Sequence, residues 1–177
     1  MDNAIVDSRN VIDDFKHLST DRIRALYDER SLPYIVGVES LKGTLNLGTI
    51  IRTSNCMGAS RVIYYGKKRY DPRSAVGSAN YFPVEYKTLD HIQMLKDQYL
   101  VIGIDCNIPE VTVDYNKFSF PKKSLLLFGS EECGLSKEAK DLVDVFLTIP
   151  MVGSVRSLNV SVAASIVMAK YVEQHAR

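Results

Sequence analysis

The chain has 177 residues, 46% hydrophobic and 24% charged, an ordinary globular composition and enough chain for one core. Its formal net charge is only +1, which excludes a polycation that holds nucleic acid by bulk electrostatics; any such affinity must sit in a local patch. No apolar run approaches the roughly 18 residues of a membrane span, and the opening MDNAIVDSRN is too polar for a signal peptide, so a cytoplasmic protein is expected.

In chain order, STDRIRALYDER (19–30) opens with a Ser/Thr/Asp cap and places Ile23, Leu26 and Tyr27 at helical spacing, which predicts a lead-in helix. A further helix is expected before it, over Val11 to Leu18. YIVGVES (34–40) reads as a buried strand, and Leu47, Ile50, Ile51 and Met57 suit a helix from about Leu45 to Met57. RVIYYG (61–66) is the next strand. It leads into a basic stretch, Lys67, Lys68, Arg69 and Arg73 with Tyr64, Tyr65 and Tyr70 interleaved, a mixture suited to phosphates and to base stacking. A short strand near Val84 to Tyr86, a helix from Thr88 to about Leu95 and a strand YLVIGIDC (99–106) follow. Residues 107–123, with Pro109 and Pro121, look like a connector with few regular elements. SLLLFG (124–129) is a continuous apolar run, as in strands covered on both faces. A helix from Ser136 to Val143, a strand VFLTIP (145–150) and a closing helix from about Leu158 to Gln174 complete the alternation.

Strands alternating with helices imply an α/β fold with a parallel sheet flanked by helices, whose ligands sit beyond the carboxyl ends of the strands. No linker, repeat or low-complexity tract divides the sequence, so one domain over 1–177 is expected, with a helical lead-in over about 1–32. A dinucleotide-binding dehydrogenase is disfavoured, because no G-x-G-x-x-G follows the first strand. The cysteines, Cys56, Cys106 and Cys133, form no CxxC pair or His-containing ligand set; reduced thiols are expected, and no metal site.

Three stretches carry the chemistry. NLGTIIRTSNCMGAS (46–60) presents Asn46, Gly48 and Arg52; LLLFGSEECGLS (125–136) presents Gly129, Glu131 and Gly134; IPMVGSVRSLNVSVAAS (149–165) runs from a Gly/Ser loop straight into a helix start. Together and in this order they resemble the three signature motifs of the TrmH/SpoU family of RNA ribose 2'-O-methyltransferases, in the SPOUT superfamily. The resemblance implies a SPOUT fold with a C-terminal trefoil knot and S-adenosyl-L-methionine as cofactor. It also implies an RNA substrate, with tRNA favoured over rRNA, and a homodimer whose active site lies near the subunit contact.

Carried over residue by residue, it assigns Gly129, Ile149 and Leu158 to the cofactor, through backbone groups. A glycine at 129 also suits a backbone that must approach a ligand closely. To catalysis the resemblance assigns Arg52, Asn46, Glu131, Ser157 and Asn159. Arg52 engages the ribose 2'-hydroxyl and a neighbouring phosphate; a guanidinium stays protonated, so positioning and charge stabilisation suit it better than the role of base. Asn46 fixes the active-site loops, Glu131 orients Arg52 or an amide donor, Asn159 supports Arg52, Ser157 lies near the acceptor ribose, and Arg156 reaches RNA phosphate. For Ser157 and Asn159, helix capping is the competing structural role. The alternative function is a non-catalytic RNA-binding or assembly factor on the same fold.

Overall fold

The computed structural model describes residues 7–39, 44–66, 71–105, 112–130 and 133–176. Five α-helices and seven strands alternate along these segments: α1 (Thr20–Arg30), β1 (Leu32–Glu39), α2 (Thr44–Cys56), β2 (Ala59–Tyr65), β3 (Val84–Tyr86), α3 (Leu89–Leu95), β4 (Leu100–Ile104), β5 (Thr112–Asp114), β6 (Ser124–Phe128), α4 (Lys137–Lys140), β7 (Val145–Thr148) and α5 (Val160–His175). The strands form one sheet in the order β3-β2-β1-β6-β4-β7-β5. Every pairing is parallel, with Val36 of β1 opposite Val62 on one side and Leu126 on the other.

Parallel strands need crossover connections, and the crossovers cover both faces of the sheet. The period-two alternation of side chains then sorts each strand's apolar residues into two cores. Tyr34, Val36 and Val38, with Val62, Leu126 and Phe128, pack against Leu47, Ile50 and Ile51 of α2 and Ala164, Val167, Met168 and Tyr171 of α5. Ile35, Ile63, Val101, Leu125 and Leu127 face Ile92 of α3 and Ala139 of α4. β6 is buried along its whole length, as its unbroken apolar run requires.

Local chemistry sets the helix ends. Ser19 caps α1 by accepting from the Arg22 amide, Ser136 caps α4 by accepting from Ala139, and Asn159 caps α5 by accepting from Ser161. Glu39, at the end of β1, accepts from the Ser136 amide at 2.8 Å, tying the β1 exit to the α4 entry. At the far end of α5, Gln174 donates to the Phe118 carbonyl and accepts from the Phe120 amide, both at 2.9 Å, and the Tyr171 hydroxyl donates to the Lys122 carbonyl.

Three expectations are corrected. The helix expected over Val11 to Leu18 is only a 3-10 turn, Asp13–Phe15. Its apolar residues do not form a stripe on the core: Ile12 is exposed, and Val11, Ile12 and Phe15 line a hollow instead. The connector contains β5, an edge strand of three residues beside β7, too short for its alternation to show in the sequence. α4 is four residues long rather than eight. Among the described residues no helix is long and apolar enough to cross a membrane.

Candidate active site

The site grows from the carboxyl ends of β6, β4 and β7. β6 ends at Phe128, after which Ser130 and Gly134 pair across a tight loop, the Ser130 amide donating to the Gly134 carbonyl at 2.8 Å and the Gly134 amide returning to Ser130 at 2.9 Å. A Cβ on Gly129 would stand 2.1 Å from the Gly134 carbonyl carbon and 2.2 Å from the Leu135 nitrogen. Glycine at 129 is therefore required by the loop's own backbone, a different reason from the ligand approach expected from the sequence. Gly134 has a φ of +67°, and a Cβ there would meet Asp105 Oδ2 at 2.7 Å.

Around this loop lies a hollow lined by Gly129 and Ser130, by Ile149, Met151, Arg156, Ser157 and Leu158 of the segment after β7, and by Val160 and Ala163 of α5. Ile104, Asp105 and Phe128 close its inner side. All three residues assigned to the cofactor, Gly129, Ile149 and Leu158, thus border one space, with Ser157 and Arg156 on its open side. Asp105 went unnoticed in the sequence. It is nearly fully buried, with Lys140 Nζ 3.6 Å from its carboxylate. Its signal was position, since it directly follows β4 at the strand's carboxyl end, where ligands of parallel sheets lie.

Asn159 combines both roles considered for it. Its Oδ1 accepts from the Ser161 amide at 2.9 Å and the Ser161 hydroxyl at 2.6 Å, while Nδ2 donates to Asn46 Oδ1 at 3.2 Å. The cap of α5 is thus bonded to the first turn of α2, joining the first and third motifs. Because α5 starts at Val160 rather than Leu158, Ser157 and Leu158 remain in the loop and face the hollow. Gly48 serves packing: a Cβ there would fall 2.1 Å from Ser74 Oγ and 2.9 Å from the Asp71 carbonyl, so α2 lies directly on the 3-10 turn Pro72–Ala75.

Arg52 lies elsewhere. Six positions after Asn46, it has rotated onto another face of α2, where it is exposed and borders a second hollow with Asn10, Phe15, Tyr27, Arg30, Asn55 and Cys56. Asn159 therefore meets Asn46 and not Arg52 within this chain. Glu131 lies outside the described residues, as do Lys67, Lys68, Arg69 and Tyr70 of the basic stretch and Cys106. Of that stretch's remainder, Tyr65 is buried, its phenol pushed up by desolvation and by the neighbouring Glu39 carboxylate, so it cannot stack on a base. Arg73 is ion-paired with Asp71. Cys56 and Cys133 are free, exposed thiols.

A wholly parallel, helix-covered sheet with a mixed apolar and polar hollow at its strand carboxyl ends defines a ligand-binding α/β protein. Within that class, residues 33–169 match the SpoU rRNA Methylase family model, and the chain belongs to that family. It is 30% identical over 152 residues, 83% of its length, to the tRNA (guanosine(18)-2'-O)-methyltransferase of Escherichia coli strain K12, of which the match covers 66%. The solved structure of the TrmH/SpoU tRNA modifying enzyme of A. aeolicus superposes with a TM-score of 0.79 at 26% identity, covering 89% of this chain and 82% of that one. The SpoU methyltransferase AviRb of Streptomyces viridochromogenes, solved in complex with the cofactor AdoMet, gives 0.72 at 28% identity, covering 84% of this chain and 61% of that one. The chain spans about 57–66% of the length of the sequence relatives it matches.

Proposed function

We propose that the protein methylates a ribose 2'-hydroxyl in structured RNA, tRNA in preference to rRNA, using S-adenosyl-L-methionine. The observation that carries this reading is the convergence of the second and third motif loops on one hollow at the strand ends, with Asn46 of the first motif bonded to its rim. The name of the Escherichia coli relative supports the ribose 2'-oxygen, and the AdoMet complex of AviRb supports the cofactor.

The residues present fit that cofactor. Apolar Ile104, Phe128, Ile149 and Val160 suit a flat base, while Asp105, Ser130 and Ser157 offer polar partners to a sugar or an ammonium. The enclosed part of the hollow is about 100 Å³, below the roughly 300–1,000 Å³ usual for ligand pockets. Arg156, Ser157 and Leu158 of the exposed 151–158 segment would hold the part of the cofactor that the enclosed space does not take. When bound, S-adenosylmethionine supplies an activated methyl group on a sulfonium. Arg52 holds the phosphate beside the acceptor ribose by a charge-assisted fork and stabilises negative charge developing on the 2'-oxygen. Asn46 and Asn159 lock α2 to the cofactor loop, and Ser157 contacts the acceptor sugar.

Since Arg52 borders a different hollow from Gly129 and Leu158, the proposal includes a homodimer in which each copy's Arg52 serves the other's cofactor site. In support, Leu45, Val155, Leu158 and Val162, near the rim, are exposed apolar side chains. A knotted C-terminal path belongs to the same proposal. The grip of Tyr171 and Gln174 on the segment leading into β6 supports it.

The test is incubation with methyl-labelled S-adenosylmethionine and total RNA, followed by mapping of nuclease-resistant dinucleotides. Labelled 2'-O-methyl dinucleotides from tRNA are expected. Cofactor binding without methyl incorporation into any RNA overturns the enzymatic reading in favour of a non-catalytic RNA-binding factor.

A further inference from the structure

The second hollow has a volume of about 530 Å³, inside the roughly 300–1,000 Å³ range of ligand sites. It lies between the segment 10–15 and helices α1 and α2. The segment is pinned in place: Asp7 is paired with Arg9 and accepts from the His17 amide at 3.1 Å, and Arg9 Nη1 donates to the Leu18 carbonyl at 2.9 Å. The wall it presents is therefore built before any ligand arrives.

Three aromatic rings border the space, those of Phe15, Tyr27 and Tyr81. Phe15 is steadied by the Arg30 guanidinium, 5.2 Å from its ring centroid, and the Tyr27 hydroxyl is already committed to the Ala59 carbonyl at 2.7 Å. Tyr81 is buried and only closes the wall, so the π surface offered to a ligand is that of Phe15 and Tyr27. Two arginines, Arg30 and Arg52, stand with them, and Arg52 has no hydrogen bond or ion pair among the described residues. Asn55 borders the same space, and its amide nitrogen is screened from water with no hydrogen-bond partner among the described residues, an arrangement that costs free energy until an acceptor is supplied.

Flat rings, an unmatched cation and an unpaired amide are the groups that recognise a nucleotide: stacking for the base, a guanidinium for the phosphate and an amide for the base edge. We infer that this hollow is a nucleotide subsite, taking one base of the RNA against Phe15 and Tyr27 with its phosphate on Arg52. The inference rests on the RNA-substrate reading and adds to it a place where the strand beside the modified ribose is read.

Cys56 borders the hollow and is exposed, so it reports occupancy. In a full-length variant carrying Cys106→Ser and Cys133→Ser, the rate of Cys56 alkylation by N-ethylmaleimide is measured with each of the four ribonucleoside 5'-monophosphates, with inorganic phosphate and with S-adenosylmethionine. At least one nucleotide slows alkylation tenfold or more, while phosphate and S-adenosylmethionine change it less than twofold. Phe15→Ala and Asn55→Leu each weaken that protection tenfold and leave S-adenosylmethionine affinity within twofold by calorimetry. The inference is overturned if no nucleotide protects, if phosphate protects equally, or if both variants are protected like the parent. Methyl incorporation into RNA by an unprotected protein sinks the subsite alone, whereas nucleotide protection without any methyl incorporation sinks the enzymatic reading and leaves the subsite standing.

Discussion

Arg52 and Asn159 are six and 113 positions from Asn46, yet the nearer residue in sequence is the one turned away from it. This geometry separates their expected mutational effects. Arg52→Ala removes an exposed cation, so stability should change by less than about 0.5 kcal/mol, while methyl transfer falls by about a hundredfold or more; thermal unfolding beside initial-rate kinetics checks both. Asn159→Ala removes a helix cap as well as the bond to Asn46. It should cost about 1 kcal/mol of stability in addition to activity, and an unchanged melting temperature would contradict the capping role. Gly129→Val drives a side chain into the Gly134 backbone. The expected result is not a blocked cofactor in an intact fold but a distorted loop, with more than about 1–3 kcal/mol lost, visible by denaturant titration without any ligand.

At the scale of elements, α2 is held by the turn Pro72–Ala75 as much as by the sheet. Asp71 caps that turn through the Arg73 amide, and the Arg73 side chain, hydrogen-bonded to the carboxylate, lowers its pKa from 3.8 to about 2. A carboxylate with a depressed folded pKa lends its stabilisation above the unfolded value, and that contribution disappears as pH falls through the folded one. The packing of this turn under Gly48 should therefore be constant from pH 8 to 5 and weaken between pH 3.8 and about 2. Amide exchange at Val76, which donates to the Arg73 carbonyl, reports it. Exchange that accelerates already between pH 7 and 5, after correction for intrinsic rates, would contradict this account. The same scale explains why β5 escaped the sequence and why α4 was expected too long: three residues carry too few positions for a period to be read, and α4 stops after four although its Ser136 cap was legible.

For the whole molecule, the division of the motif residues between two hollows makes assembly the decisive property. Inactive Arg52→Ala and Asn159→Ala chains, mixed and allowed to exchange, should regain about a quarter of wild-type activity if each site draws on two copies, by the statistics of symmetric pairing. No recovery on mixing, or a stable active monomer on sedimentation, would overturn the dimer. If the C-terminal segment is threaded as proposed, refolding is expected to be slower than the milliseconds to seconds of unknotted domains with comparable topology, measurable by stopped-flow dilution from denaturant.

Most of the sheet was legible from the sequence, because long apolar runs such as Ser124–Phe128 and capped helices such as Thr20–Arg30 carry their own periods and end signals. The resemblance to the TrmH/SpoU motifs implied Gly129, Ile149 and Leu158 as companions, and they border one hollow. The direction of Arg52, the contribution of Asp105 and the second hollow against the 10–15 segment were decided only by tertiary structure. Sequence records which residues share an element, since periodicity is a local property of the backbone. Which face of a helix meets which loop depends on packing between segments a hundred positions apart, and no local period encodes that.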